Sequence, residues 1–419
     1  MSRRLLLLSL ALLSACAVSS PAQAPPESPA SAASPADLVD RYRAVDLDAF
    51  ARAPGPADGP LYRGLRALVY GNAREGEREL AHAVGGVPDS LRPFVYDRLV
   101  GSATRRFAWA EATDYARQRA RAAGRPFDPD SAWWASYARR PAPSARVEGG
   151  AATVPFDGYR ADGALHGPSG STDVRFFLDT GSPVTFMSRP LAARLGLALD
   201  SAAATFISIP ARGIDAAPTY TAVLDSVRLG GAVLYNVPAQ VIDTDRPVAD
   251  GADLFLGFNA LFGLLGGVSY GFADSALTLY ERGAVPETDV AKPNLLLEAG
   301  YGFLAYRADG QSFTGVVDTG SPFSYVYADW WTPSAGVEGR PVTHRGQLAD
   351  SDYEFTLDYY DLPATLAGRS VDALPLGLST RGQVGAPFRV MSLLGTGLFA
   401  DGALTLDFDR RRATYERAP

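Results

Sequence analysis

Cysteine and histidine are both scarce in this sequence, and each shortage excludes a kind of protein. Cys16 is the only cysteine among 419 residues, so no disulfide can form within one chain and stability must come from the burial of side chains. The three histidines, His82, His166 and His344, leave little material for a serine-hydrolase triad. The segment 267–271 reads Gly-Val-Ser-Tyr-Gly and matches a nucleophile elbow, but a predicted strand follows where that motif requires a helix. A serine hydrolase is therefore not expected.

Extended basic stretches are missing as well. The net charge is −7, and the arginine runs at 139–140 and 410–412 are short enough to be ordinary solvated surface. This balance argues against a nucleic-acid-binding protein, and no nucleic-acid partner is expected. The aspartates between 243 and 253 lack the spacing of a calcium-binding loop, so neither a metal nor another cofactor is expected.

The N-terminus has the features of an export signal. Two arginines at 3–4 precede an apolar run over 5–13, which is too short for an ordinary membrane-spanning helix. The four residues that end at Cys16, Leu-Ser-Ala-Cys, resemble the lipobox of bacterial lipoproteins. This resemblance implies that residues 1–16 are a signal peptide, that the Cys16 thiol is lipidated, and that the lipid alone holds the chain at a membrane of the bacterial cell envelope. Secretion without a lipid, after cleavage behind Ala24, is the alternative.

Composition divides the rest of the chain into four segments. Residues 17–33 are rich in Ala, Ser and Pro, cannot bury a core and are predicted to form a disordered tether. Residues 34–145 show helical spacing of apolar residues, which predicts a small α-helical domain. Near Pro141 the pattern changes to short apolar runs broken by Gly, Asp and Pro, which predicts β-structure over 146–283 and 284–419. The paired short helices weakly resemble tetratricopeptide repeats, which would offer a surface for a protein partner, and an unclassified helical bundle is the alternative.

One tetrapeptide occurs twice in the β-structured part of the chain. Asp179-Thr180-Gly181-Ser182 and Asp318-Thr319-Gly320-Ser321 each follow an apolar run, so each aspartate is expected where a buried strand turns. A Leu-Gly pair follows each copy at nearly the same distance and ends at Gly257 or Gly395. Beyond each glycine comes a near-identical segment, Phe-Ala-Asp-Ser-Ala-Leu-Thr-Leu in the first half and Phe-Ala-Asp-Gly-Ala-Leu-Thr-Leu in the second. The sequence therefore indicates an internal duplication.

These paired features resemble the pepsin/retropepsin-like aspartic proteases over about residues 150–419. The resemblance rests on both Asp-Thr-Gly-Ser loops and on the apolar-apolar-Gly segment late in each half. It implies a mainly β, bilobal fold in which lobe 1, residues 146–283, and lobe 2, residues 284–419, each present one aspartate to a shared cleft. The small α-helical domain would precede these lobes.

The two aspartates define the chemistry that the resemblance implies. The ionisation of both carboxyl groups in one site is energetically unfavourable because the two negative charges repel each other. Asp179 and Asp318 are therefore predicted to hold one proton between them. Such a pair can take a proton from water while it donates one to a peptide carbonyl. The resemblance thus implies an aspartic endopeptidase with a peptide or protein substrate and with Asp179 and Asp318 as catalytic residues. A non-catalytic envelope lipoprotein that binds a peptide or a partner in a protease-like cleft is the alternative.

The resemblance also gives roles to the residues around the aspartates. The threonines would interlock through hydrogen bonds to the opposite loop, the serines would donate to the outer carboxylate oxygens, and the glycines would permit the turn. These six supporting residues are Thr180, Gly181, Ser182, Thr319, Gly320 and Ser321. A hairpin flap between 207 and 223 would cover the cleft, with Tyr220 as its candidate aromatic residue and simple packing of that side chain as the alternative. A second hairpin, between 342 and 356, would be its counterpart in lobe 2.

Overall fold

The computed structural model describes residues 33–127, 133–209, 214–245, 248, 251–333, 338–348, 351–379, 388–389 and 391–418. The predicted signal peptide, Cys16 and all but the last residue of the predicted tether lie outside these ranges. Within them, no helix combines the length and the apolar character needed to span a membrane.

Helices dominate the first part of the described chain and strands the remainder. The helices are α1 Pro35–Arg43, α2 Pro60–Val69, α3 Ala73–Ala83, α4 Arg92–Arg105, α5 Trp109–Ala122, α6 Trp133–Tyr137, α7 Arg189–Arg194 and α8 Phe258–Leu264. The strands up to the end of lobe 1 are β1 Ser144–Val147, β2 Ala151–Pro155, β3 Arg160–Gly167, β4 Gly170–Asp179, β5 Phe186–Ser188, β6 Asp200–Ile209, β7 Ile214–Leu229, β8 Ala232–Ile242, β9 Leu254–Gly257, β10 Gly267–Gly271 and β11 Ala276–Tyr280. The strands that follow are β12 Leu295–Glu298, β13 Tyr301–Ala308, β14 Gln311–Asp318, β15 Tyr325–Tyr327, β16 Arg340–Leu348, β17 Ser351–Leu366, β18 Arg369–Ser379, β19 Ser392–Gly395, β20 Gly402–Asp407 and β21 Arg412–Arg417.

Local sequence signals set the helix boundaries. Ser34 caps α1, because its hydroxyl accepts the N–H of Asp37 at 3.2 Å while the Asp37 carboxylate accepts the N–H of Ser34 at 3.2 Å. The helices α2 and α3 then pack closely against each other at small residues. A Cβ added to Gly64 would lie 2.7 Å from Cγ of Leu80, so only glycine permits this approach.

Each lobe is built on an eight-stranded sheet with the same internal pattern. In lobe 1, β4 pairs parallel with β9 and β5 pairs parallel with β8, and in lobe 2 the equivalent parallel pairs are β14 with β19 and β15 with β18. A long hairpin, β6–β7 in lobe 1 and β16–β17 in lobe 2, closes one edge of each sheet. The duplication seen in the sequence therefore extends to the topology.

A third sheet joins the two lobes. Its five strands follow the order β2-β11-β10-β20-β21, so strands from both halves of the chain share it. Strand β10 lies in the middle and pairs antiparallel with β11 on one side and with β20 on the other. Because β20 and β21 come from the end of lobe 2, the C-terminal strands complete a sheet that begins in lobe 1.

The predicted mainly β, two-lobed fold behind a helical region is confirmed. Strand β11 spans Ala276–Tyr280, and β7 spans Ile214–Leu229. The first half of β7 pairs antiparallel with β6. Between the Leu-Gly pair and the repeated segment, lobe 1 has both α8 and β10, where lobe 2 has only the short 3₁₀ turn Thr396–Leu398.

The helical region contacts both lobes. The hydroxyl of Tyr137 in α6 donates to the carbonyl oxygen of Ala239 in lobe 1 at 2.8 Å, and the hydroxyl of Tyr42 in α1 donates to Oε1 of Glu298 in lobe 2 at 2.9 Å. The helices also share one apolar core with lobe 2, to which lobe 2 contributes the buried residues Leu296, Phe303, Tyr327 and Phe388. Separation of the helical region would expose this core to water.

Substitution of Tyr42 tests how firmly the helical region is held. Glu298 is fully buried and loses its hydroxyl donor in Tyr42→Phe, so we expect the free energy of unfolding to fall by about 1–3 kcal/mol. Urea denaturation of the purified protein measures this change. Tyr235→Phe is the matched control, because Tyr235 is 39% exposed and its change should stay within about 0.5 kcal/mol. Equal stability of the two variants would contradict the account.

Candidate active site

Both Asp-Thr-Gly-Ser loops begin at the end of a buried parallel strand pair. Asp179 at the end of β4 lies opposite Gly257 of β9, and Asp318 at the end of β14 lies opposite Gly395 of β19. Each loop then turns sharply, since the N–H three residues on donates back to the aspartate carbonyl at 3.1 Å in lobe 1 and at 3.2 Å in lobe 2. The Leu-Gly pairs of the sequence therefore support the aspartate loops from the neighbouring strand.

The two loops are locked together by their threonines. The N–H of Thr180 donates to Oγ1 of Thr319 at 3.0 Å, and the N–H of Thr319 donates to Oγ1 of Thr180 at 2.9 Å. Each hydroxyl then donates to the strand before the opposite aspartate, to the carbonyl of Val317 or of Leu178, at 2.7 Å in both cases. Both threonines are buried, so these four hydrogen bonds are shielded from water and hold the loops in one relative position.

The locked loops bring the two aspartates face to face. Each Oδ1 accepts the N–H of the glycine two residues on, at 2.8 Å for Asp179 and at 2.9 Å for Asp318. A Cβ added to Gly181 would lie 2.6 Å from Cγ of Asp318, and one added to Gly320 would lie 2.7 Å from Oδ1 of Asp179. Each carboxyl group thus packs against the glycine of the opposite loop, which leaves no room for a side chain at either glycine.

Burial shifts the pKa of both carboxyl groups upward. Burial raises the pKa of Asp179 well above its ordinary value, the charge of Asp318 raises it further, and the N–H of Gly181 opposes both effects. Burial also raises the pKa of Asp318, against the N–H of Gly320 and a hydrogen bond with Asp179. The two carboxyl groups therefore retain a proton at pH values where a solvated aspartate is ionised.

The serines have other partners than the ones predicted. Ser182 donates its hydroxyl to the carbonyl of Val184 at 3.0 Å, and Ser321 donates to the carbonyl of Phe323 at 3.1 Å. Each hydroxyl has a single proton to give, so its expected donation to a carboxylate oxygen does not occur here. The serines shape the loop after each aspartate instead.

Tyr220 also has a different environment from the one predicted. It lies in β7 opposite Val241, and its hydroxyl donates to Oδ2 of Asp243 at 3.3 Å. Asp243 in turn pairs with the exposed Arg189 at 2.7 Å. The contacts of Tyr220 are therefore those of a surface ion cluster, and they do not support a flap role. The expected flap region is the β6–β7 hairpin, whose tip at 210–213 lies outside the described residues.

The second hairpin packs directly on the lobe 2 loop. Phe323, two residues after the Asp-Thr-Gly-Ser segment, lies 4.3 Å from the ring of His344 in β16 and 5.1 Å from the ring of Phe355 in β17, centroid to centroid. Burial lowers the pKa of His344, so this ring favours the neutral form. The β16–β17 hairpin is thus anchored beside the aspartates by aromatic contacts, in the position predicted for a counterpart of the flap.

Sequence reasoning missed Tyr301. Burial raises the pKa of its hydroxyl, and the charges of Asp179 and Asp318 raise it further. The turn before it presses on the lobe 1 loop, since a Cβ added to Gly300 would lie 2.4 Å from Cβ of Pro183. In the sequence, the glycine at position 300 is the feature that could have indicated this contact. It adopts a positive φ of 83°, and a glycine at such a turn permits a close backbone approach.

Ser269 of the segment that matched a nucleophile elbow lies within β10. Its hydroxyl accepts a hydrogen bond from Thr405 in β20 at 2.9 Å, and β10 is paired on both edges. No helix follows it, because β11 comes next. The structure therefore agrees with the exclusion of a serine hydrolase on this motif.

Comparison with known proteins gives a family match within the first lobe. Residues 163–260 match the family model for aspartyl proteases, a range that includes Asp179 and its loop. No curated protein sequence matches the chain. Among solved structures, basic 7S globulin from soybean is similar at 11% identity and a TM-score of 0.38, over 64% of this chain and 94% of that one. An aspartic proteinase from Irpex lacteus is similar at 12% identity and a TM-score of 0.38, over 63% of this chain and 96% of that one.

Substitution of Thr319 tests the interlock of the two loops. Thr319→Val removes one acceptor and one donor from a buried network, so we expect the free energy of unfolding to fall by about 2–4 kcal/mol. Thr319→Ser keeps the hydroxyl and serves as the control, with a loss of about 1 kcal/mol for the missing methyl group. Chemical denaturation measures both. A valine variant as stable as the serine variant would show that the interlock does not hold the loops.

Proposed function

We propose that this protein is an aspartic endopeptidase that hydrolyses peptide bonds with a water molecule activated between Asp179 and Asp318. The observation that carries the proposal is the position of the two carboxyl groups, each packed on the glycine of the opposite loop and each with a raised pKa. The match of residues 163–260 to aspartyl proteases supports the same reading. Two acids that share a proton can act as base and acid in one step.

The chemistry follows from the protonation of the pair. The ionised carboxyl takes a proton from water as the water oxygen bonds to the peptide carbonyl carbon, and the protonated carboxyl gives its proton to the carbonyl oxygen. The result is a neutral tetrahedral diol. The protonated carboxyl then gives its proton to the amide nitrogen while the ionised carboxyl takes a proton from a diol hydroxyl, and the C–N bond breaks. The products are a carboxylic acid and an amine, and the pair is back in its starting protonation state. The interlocked threonines keep both carboxyls in place through these steps without reorganisation.

We further propose that the mature protein acts in the bacterial cell envelope. Support comes from the sequence of residues 1–16, whose basic start, short apolar run and Leu-Ser-Ala-Cys ending suit export and lipidation of Cys16. The lipid would hold the protein at the membrane, with residues 17–33 as the tether. A protein partner for the helical region stays a prediction. Mass analysis of the purified envelope form tests this proposal, with a lipid-modified Cys16 as the expected N-terminus.

Substitution of either aspartate tests the proposed activity. We expect Asp179→Asn and Asp318→Asn each to lower kcat on a mixed peptide library by about 10³-fold or more. Each variant keeps only one carboxyl group, which cannot act as acid and as base in the same step. Asp173→Asn is the matched control, since Asp173 is an exposed aspartate on the same strand, β4, and should leave cleavage unchanged.

An inhibitor that mimics the tetrahedral diol should block cleavage by the wild type. Undiminished cleavage by either variant would contradict the assignment of the pair. A folded wild-type protein that cleaves no library member between acidic and neutral pH would contradict the peptidase proposal itself and favour a protease-like binding protein.

A further inference from the structure

A cavity of about 310 Å³ lies where the helical region meets the aspartate loops. Helices α4 and α5 form one wall, and the other wall consists of Pro183 and Val184 after the lobe 1 loop together with the turn at Ala299 and Gly300. Gly300 packs on Pro183, which directly follows the Asp-Thr-Gly-Ser segment of lobe 1. The cavity therefore lies beside the aspartate loop of lobe 1, although none of its charged residues takes part in the proposed chemistry.

Positively charged side chains outnumber negatively charged ones in the lining of this cavity. The charged residues of its lining are the three arginines Arg98, Arg105 and Arg119 and the two acids Asp97 and Glu298. Arg98 is 2% exposed and Glu298 is fully buried, so these charges are largely removed from water. Positive charge thus exceeds negative charge by one inside the lining, and such an excess is costly in a buried site unless an anion balances it.

Several hydrogen-bonding atoms of the residues that line the cavity lack partners. Nε and Nη1 of Arg98, Nε of Arg105 and Oε2 of Glu298 are buried and make no hydrogen bond within the described structure. Nη1 of Arg98 lies 3.4 Å from Oε2 of Glu298, an ion pair without hydrogen-bond geometry. Buried N–H groups without acceptors are destabilising, so an acceptor oxygen that reached these guanidinium groups would stabilise them.

We propose that this cavity binds a carboxylate of the peptide substrate, so that the helical region forms part of the substrate-binding site. This proposal rests on the proposed peptidase function. A carboxylate fits the excess of one positive charge, and its two oxygens suit the paired N–H donors of a guanidinium group. The volume is that of a small ligand pocket and accommodates one or two residues of a peptide. The carboxylate comes either from the C-terminus of the peptide or from an acidic side chain.

The test compares three forms of one cleavable peptide, chosen as the best substrate found in the library. The first form has a free C-terminal carboxylate, the second is amidated, and the third is amidated but carries a glutamate near its C-terminus. With the full-length protein we expect KM to be about tenfold lower for at least one acidic form than for the neutral amide, with kcat unchanged. The acidic form with the lower KM identifies the source of the carboxylate.

Arg119→Gln tests the cavity itself. Arg119 is the most exposed of the three arginines, at 35% of its side chain, and pairs with Asp97 at 2.6 Å, so its loss disturbs the fold least. We expect this variant to raise KM about tenfold for the preferred acidic peptide and to leave KM for the amide unchanged. Arg117→Gln is the matched control, since Arg117 lies on the same helix, pairs with Asp114 at 2.8 Å and does not line the cavity.

Binding separates a failure of this proposal from a failure of the proposed function. Fluorescent versions of the three peptides are titrated into the Asp179→Asn protein, in which cleavage cannot interfere. If the wild type cleaves all three forms with the same KM and the Asp179→Asn protein binds them equally, the carboxylate site is refuted and the peptidase function stands. If the wild type cleaves no library member, the three forms are made from the library member that binds most tightly instead. If an acidic form then binds about tenfold more tightly than the amide, and this preference is lost with Arg119→Gln, the peptidase function is refuted and the carboxylate site stands.

Discussion

Two threonine hydroxyls, each bonded to the loop of the other lobe, hold this structure together at its functional centre. The bonds between Thr180 and Thr319 are reciprocal, so neither loop can move without breaking contacts in both lobes. They force the carboxyl groups of Asp179 and Asp318 into a common, partly buried space, where two negative charges repel each other and the pair retains a proton. The raised pKa values and the proposed chemistry both depend on this constraint.

The rest of the chain supports this constraint from several directions. The five-stranded sheet that both lobes share joins them over β10 and β20, and the parallel strands β9 and β19 support each aspartate loop. The helical region then bonds to lobe 1 through Tyr137 and to lobe 2 through Tyr42. A module that contacts both lobes limits their relative movement, and it also brings charged side chains of α4 and α5 to a cavity beside the aspartate loop of lobe 1.

The sequence predicted the features that local patterns encode. Both aspartate loops, the duplication and the two-lobed β fold could be read from it, because a short motif and apolar runs determine them. The partners of Ser182 and Tyr220 could not, because a hydroxyl takes whichever acceptor the folded loop places nearest, Val184 in one case and Asp243 in the other. The bond between Tyr42 and Glu298 was equally hidden, since 256 residues separate the two and no pattern relates them.

The dependence of stability on pH tests the shared proton most directly. In the folded state the pKa of Asp179 lies above its value in the unfolded chain, so folding binds the proton more tightly and stability falls as pH rises from the unfolded pKa, about 3.9, through the folded one. The measurement is the free energy of unfolding of the wild type and of Asp179→Asn between pH 4 and pH 8. We predict that the asparagine variant gains stability relative to the wild type as pH rises, because it cannot ionise. Parallel curves would show that folding leaves the pKa of Asp179 unchanged and would contradict the account.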